Sequence, residues 1–353
     1  MNASHFSKAL ILTLVVVTAF VICWEYYWRS RGFTVSYNDD KVLWSNERKN
    51  IYKPADEATV FIGGSRIKFD LDIPTWRNLT GEDAIQLALV GTPSRLILRD
   101  LANDTAFKGK LIIDVAETQF FTIDTLRRDK SAREALEYYY KETPAQKASA
   151  FIDYKLESHI VFLEEGKFGL NALLNDLQIP DRAGVVVPSV MPKEFSQTTI
   201  DRQNFMTSMF LLDSNLQKKQ IAIWNRGMAL TKKMPPIKGD VLNAFLRDIR
   251  LSIDKIKSRG GTVLFVRPPS GADYFVKENK LYPRKDYWDK LLVYTNTQGI
   301  YFSDYPATAH FVCPDYSHLS RNDAVVYTQN LVKILKDEKG WSFAKSSHFF
   351  SAQ

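Results

Sequence analysis

Two short stretches, far apart in the chain, carry residue types suited to nucleophilic chemistry. One is Gly63-Gly64-Ser65-Arg66, a serine on a glycine turn, and the other is Cys313-Pro314-Asp315-Tyr316-Ser317-His318-Leu319. A serine hydroxyl is a poor nucleophile until a histidine takes its proton, and a carboxylate must fix that histidine's tautomer. Asp315 and His318 are three residues apart, so a single turn can present both to one cleft. The glycines beside Ser65, and Gly91, leave backbone N–H groups free to face a developing oxyanion, with Thr118 as a further donor. Alone, Gly-Gly-Ser is an ordinary turn and Asp-x-x-His is commonly a helix-capping loop. The specific signal is their conjunction, which requires Ser65 Oγ to lie within hydrogen-bond reach of the His318 ring.

These residues need a frame, and alternating runs supply one. Short apolar runs at 59–62, 84–90, 110–115, 262–266 and 300–302 read as strands. Stretches at 95–103, 241–258, 288–295 and 323–336 have helical spacing. This alternation predicts an α/β domain, a doubly wound three-layer fold around a five-stranded parallel sheet. In such a sheet, ligands bind outside the carboxyl ends of the strands. Ser65 and Arg66 follow the first expected strand, Gly91 the second, Glu117 and Thr118 the third, and Arg267 the fourth. Arg66, Glu117 and Arg267 are the expected substrate-binding residues, the two arginines as contacts to an anionic or polyol substrate. A carboxylate at Glu117 would oppose an oxyanion unless paired, and Arg66 or Arg267 is the obvious partner.

The alternation breaks over about 121–236, which reads as a helical insertion. Helices are expected at 127–140, 151–177 and 204–220, with an irregular joint at 185–192. The stretch at about 35–58 reads as a polar connector. Tyr138, Tyr139 and Tyr140 read as core packing, and the basic run Arg127, Arg128, Lys130, Arg133 as a solvated helix face.

The N-terminus differs from the rest. Residues 9–24 are sixteen positions without a charge, and after Glu25 come Tyr26, Tyr27 and Trp28. As a helix, 9–28 spans about 30 Å, and the aromatic cluster fits a membrane–water interface. No small-x-small cleavage site follows, so residues 1–30 read as an uncleaved anchor and 31–353 as the body. Lys8 precedes the run while Arg29, Arg31 and Lys41 follow it. By the positive-inside rule this favours a cytoplasmic body, though a bias so small leaves orientation open.

Composition narrows the rest. With 45% apolar and 25% charged residues, the 353-residue chain is neither disordered nor a coiled coil. A net charge of +7 over this length is mild, and no nucleic-acid partner is expected. Two cysteines, Cys23 and Cys313, exclude a disulfide scaffold. His5, His159, His310 and His348 lack metal-ligand spacing, so neither a metal nor another cofactor is expected.

The order of Ser65, Gly91, Asp315 and His318 resembles the SGNH (GDSL-like) hydrolase superfamily. Ser65 matches the nucleophile of the first block, Gly91 the glycine of the second, and Asp315 with His318 the last block's Asp-x-x-His. The chain looks most similar to the membrane-tethered branch that includes the D-alanyl transfer protein of teichoic-acid modification and the alginate acetylation proteins. That resemblance implies a flavodoxin-like sheet and an acyl hydrolase or O-acyltransferase anchored in the cytoplasmic membrane. It also implies a catalytic domain on the extracytoplasmic side, acting on an acylated glycan or other cell-envelope polymer beside a membrane-bound acyltransferase. Two departures stand out. Gly64 occupies the place of the usual Asp, and Val115-Ala116-Glu117-Thr118 lacks the third block's Asn. They support an alternative: a catalytically altered binding or scaffold protein that partners a membrane acyltransferase.

Overall fold

Runs that are apolar on both faces become the sheet, because a parallel strand is covered above and below. The computed structural model describes residues 3–123, 128–175, 177, 191–231 and 236–344. Its strands are β1 (Ala58–Ile62), β2 (Asp83–Gln86), β3 (Lys110–Asp114), β4 (Ser196–Thr198), β5 (Asn204–Met206), β6 (Thr262–Arg267) and β7 (Gly299–Tyr301). Five form one parallel sheet in the order β2-β1-β3-β6-β7, while β4 and β5 make a separate antiparallel pair. Val60 lies between Ile85 and Leu111, Ile113 faces Phe265, and Val266 faces Ile300. The strand order reverses at β1, so the crevice expected to hold a ligand opens between the carboxyl ends of β1 and β3.

Alternate side chains on these strands enter two cores. Val60, Ile62, Leu111, Ile113, Val263 and Phe265 pack with the helices Arg95–Asn103 and Gly239–Lys257. Phe61, Ile112, Leu264 and Val266 face the helices Ser65–Asp70, Ile73–Thr80 and Arg321–Asp337. Each fully buried aliphatic or Phe side chain contributes about 1.5–3 kcal/mol. Local signals set the helix ends. Asp72 caps Ile73–Thr80 by accepting from Thr75 N–H, and Gly81 closes it at φ +75°. Thr143 and Gln146 form a capping box ahead of Pro144–Glu157.

The segment between β3 and β6 departs from expectation in detail. The stretch 204–220 is not one helix. β5 takes its start, Thr207 caps a short helix Ser208–Leu212, and Asp213 accepts from the next N–H groups to open Ser214–Thr231. Each polar side chain restarts the backbone, which ends the previous element. Likewise 151–177 breaks at the 3-10 turn Val161–Leu163 into the short helices Glu165–Phe168 and Leu170–Asn175. The helix expected from 127 runs Lys130–Lys141; Arg127 and most of the 185–192 joint lie outside the described residues. Tyr138 is buried but Tyr140 is exposed. The connector 35–58 contains a helix, Lys41–Lys49, whose Leu43 and Trp44 are buried among charged neighbours that masked the pattern.

Arg202 ties the insertion to the sheet. Fully buried and at φ +61°, it donates to the carbonyls of Gln86 and Ala88 and to Asp39. The N-terminal helix runs Ala3–Ser30, and its segment His5–Ser30 is long and apolar enough to cross a membrane. Glu25, the charge that interrupts the apolar run, accepts from Val161 N–H and Phe162 N–H. Arg29 donates to the His159 carbonyl at 2.8 Å, and Trp28 packs on Phe33 and Phe168. The apolar helix is therefore docked on the insertion at one end.

Candidate active site

β1 runs directly into the serine turn. The chain passes so close to β3 that a Cβ at Gly63 would overlap the Asp114 side chain, and Gly64 N–H donates to Asp114 Oδ2 at 3.0 Å. Ser65 is the first residue of its helix, so its N–H has no acceptor one turn back. A side chain at Gly64 would run into the Gln119 amide, which accounts for glycine at that position.

The partner loop is held by its own carboxylate. Asp315 Oδ1 accepts from Ser317 N–H and His318 N–H at 2.9 and 2.8 Å. Tyr316 between them sits at φ +71°, a conformation uncommon for a bulky residue, and its carbonyl receives Gly271 N–H. That turn carries the His318 ring back over Asp315. Nδ1–H donates to Asp315 Oδ2 at 2.7 Å, leaving Nε2 to accept from Ser65 O–H at 2.8 Å. Burial pushes the Asp315 carboxyl up, but His318 and the N–H donors outweigh it and hold the group below its ordinary value. A serine, a histidine and an ionised carboxylate in this chain of bonds can transfer a proton away from the hydroxyl during attack on an acyl carbon.

Three aromatic rings enclose His318. Phe69 lies 4.4 Å from it by ring centroids, Trp224 at 5.8 Å and Phe195 at 6.1 Å. Trp224 also donates its indole N–H to Asp315 Oδ2 at 2.9 Å. Phe195 and Trp224 both come from the insertion. Neither stood out in the sequence, because each is one aromatic among many and lacks local spacing to the triad. Ser65 keeps 8% of its surface, while Asp315 and His318 keep none.

A cleft of about 280 Å³ adjoins this group, lined by Gly91, Thr118, Gln119, Trp224 and Tyr274 among others. Gly91 and Thr118, the expected oxyanion donors, thus meet in one cavity. Gly91 takes φ +66° with open space where a side chain would be. Gln119 was not anticipated. It follows Thr118 on the turn after β3 and puts an amide against Gly64, next to Ser65. Its Oε1 is the atom nearest Gly64, and the other end of the same amide carries two N–H donors.

Arg66, Glu117 and Arg267 are placed differently from the expectation that they meet substrate. All are buried, at 3%, 2% and 0% exposure. Arg267 donates to Glu117, Glu278, Ser270 and the Pro268 carbonyl, and Arg66 to Glu278 at 2.5 Å. Both guanidiniums pair with Glu278 inside the protein, an arrangement that braces the strand ends, while Arg66 Nη1 is left without a hydrogen-bond partner among the described residues. Glu278, from the helix Ala272–Leu281, joins the loops that follow β1 and β6, and through Arg267 the loop after β3. The two guanidiniums hold Glu278 below its ordinary value despite burial.

His310 is exposed, with Nδ1 against the Pro306 carbonyl. Among the described residues no group of three or more His, Cys, Asp or Glu side chains is placed to hold a metal ion. Comparison with protein-family models finds no match, and no curated protein matches the chain.

Proposed function

We propose that this protein is a serine acyl hydrolase or O-acyltransferase of the SGNH type. The observation that carries the reading is the continuous chain Ser65 Oγ–His318 Nε2 and His318 Nδ1–Asp315 Oδ2 at 2.8 and 2.7 Å. Ser65 Oγ bonds to the acyl carbon of an ester while its proton passes to His318 Nε2 and on to the departing alcohol. Attack by water, or by a hydroxyl of a glycan, then releases the acyl group and restores Ser65. The N–H groups of Ser65 and Gly91, with Thr118 or Gln119, would receive the oxyanion.

Further support comes from topology. In order along the sheet the strands read second, first, third, fourth, fifth, the flavodoxin-like arrangement. The serine follows the first strand and Asp-x-x-His precedes the helix Arg321–Asp337, as the SGNH resemblance requires. In this reading the N-terminal helix anchors the protein in the cytoplasmic membrane, with the body outside. An acylated envelope polymer is the substrate, and a membrane acyltransferase is the source of acyl groups. The test is intact-mass analysis after exposure of the full chain to p-nitrophenyl acetate. One acetyl group on Ser65, absent from Ser65→Ala, is the expected result. A folded protein that neither acquires the adduct nor releases nitrophenol would refute the reading.

A further inference from the structure

Helix Pro144–Glu157 is amphipathic in the wrong sense for a soluble protein. Ala148, Phe151, Ile152, Lys155 and Leu156, at i, i+3, i+4, i+7 and i+8, form one face, and it points outward. Phe151, Ile152 and Leu156 are 64%, 57% and 45% exposed, whereas Ala150 and Glu157 on the opposite side are buried. A second apolar set lies beyond the next turn and helix: Leu170, Leu174 and Leu177, spaced four and three apart, are 73%, 48% and 59% exposed. Clustered exposed apolar side chains of this kind mark an interaction site.

What covers it is indicated by its neighbours. The two sets bracket the segment 159–163, where the N-terminal helix docks through Glu25 and Arg29. The turn Val161–Leu163 touches that helix, the helix Pro144–Glu157 and the helix Glu165–Phe168, so the elements that carry both apolar sets meet beside the anchor's exit. At that exit Trp24, Tyr27 and Trp28 pack ring against ring, the residue types of a headgroup belt. Cations sit among the apolar groups. Lys155 Nζ lies 5.9 Å from the Phe151 ring centroid, and Lys193 Nζ 5.2 Å from that of Trp28. Long cationic side chains beside Phe and Leu are the composition of helices that lie in the plane of a bilayer surface.

We propose that the outward faces of Pro144–Glu157 and of Leu170, Leu174 and Leu177 lie in the headgroup layer of the membrane that the N-terminal helix spans. The proposal rests on the anchor reading above. It makes the insertion a second membrane contact, so the body is held at a fixed tilt instead of swinging on a tether, and the cleft has a defined height above the lipid.

The test uses the full chain in phosphatidylcholine–phosphatidylglycerol vesicles, with an environment-sensitive nitrobenzoxadiazole label on single cysteines. Cys23→Ser supplies the background, since Cys313 is buried and its thiol is pushed up and unreactive. Labels go at Phe151→Cys and Leu170→Cys, at Val16→Cys in the anchor, and at Val293→Cys, an exposed apolar position (82%) on the helix Trp288–Thr295. Doxyl-labelled lipid should quench positions 151 and 170 at least twofold more than 293, with 16 quenched as well. Quenching at 16 with 151 and 170 no different from 293 overturns the proposal and leaves the anchor standing. No quenching at 16 overturns the anchor, and the proposal with it. Shielding of 151 and 170 from aqueous iodide without lipid quenching marks protein cover, such as a second copy, and also overturns it.

Discussion

Trp224 donates its indole N–H to the same Asp315 oxygen that receives the His318 imidazole, at 2.9 and 2.7 Å. The indole belongs to the insertion and the carboxylate to the sheet domain, so the insertion helps to build the site it adjoins. Trp224→Phe keeps a ring against His318 and Phe195 but deletes one donor to a charged acceptor. The loss is about 1.5 kcal/mol, roughly tenfold in kcat/KM. Ester hydrolysis by the variant, with circular-dichroism melting to show the fold intact, checks this; an unchanged kcat/KM would remove Trp224 from the mechanism.

Gly64 and Gln119 should behave as one unit. Gln119→Ala removes the amide beside Ser65 and, on the proposed acyl-transfer function, is expected to lower kcat by about 10²-fold. In Gly64→Ala the new methyl overlaps the same amide, which sits at the end of a flexible side chain and can swing away, so the fold survives. The double variant should therefore be no slower than the worse single one. Fully additive losses in the double-mutant cycle would show that the two act independently. Gly63→Ala is a different case. Its methyl would meet the Cβ of Asp114, which cannot swing away, so a large drop in melting temperature is expected.

Glu278 neutralises two buried guanidiniums, Arg66 and Arg267. Glu278→Ala leaves both charges buried without it, a destabilisation of about 3–5 kcal/mol. Urea denaturation of the two proteins measures it. A loss below 1 kcal/mol would mean that the network relaxes into water and does not brace the strand ends.

Asp114 gives a pH signature. Burial raises its carboxyl to about 6, against the pull of Gly64 N–H, Arg66 and Arg267. The folded protein thus binds this proton more tightly than the unfolded chain, and stability from this group falls as pH rises between about 4 and 6. Asn mimics the protonated form and can still accept from Gly64 N–H. Asp114→Asn should therefore gain melting temperature relative to the parent on going from pH 4.5 to 7.5. A constant difference across that range would contradict the burial account.

The frame was legible because buried parallel strands are written as continuous apolar runs. β1, β3 and β6 lie within a residue or two of the expected segments, and Arg95–Asn103 and Trp288–Thr295 coincide with theirs. Ser65, Asp315 and His318 were legible because chain order and turn chemistry are local. Trp224, Gln119 and Glu278 were not, since their roles depend on which turns of the fold meet, and that leaves no spacing in the sequence. The pairing of Arg66 and Arg267 with Glu278 was hidden for the same reason: that carboxylate stands 212 and 11 residues away. The hairpin of β4 and β5 was lost because two three-residue strands fall below any periodicity.

Acyl transfer by this site requires an activated hydroxyl at Ser65, and a fluorophosphonate serine probe reads that most directly. The full-length protein should be labelled stoichiometrically, and Ser65→Ala not at all. His318→Ala should be labelled at least 10²-fold more slowly. A wild-type protein that stays folded and unlabelled, or equal labelling of Ser65→Ala, would contradict it.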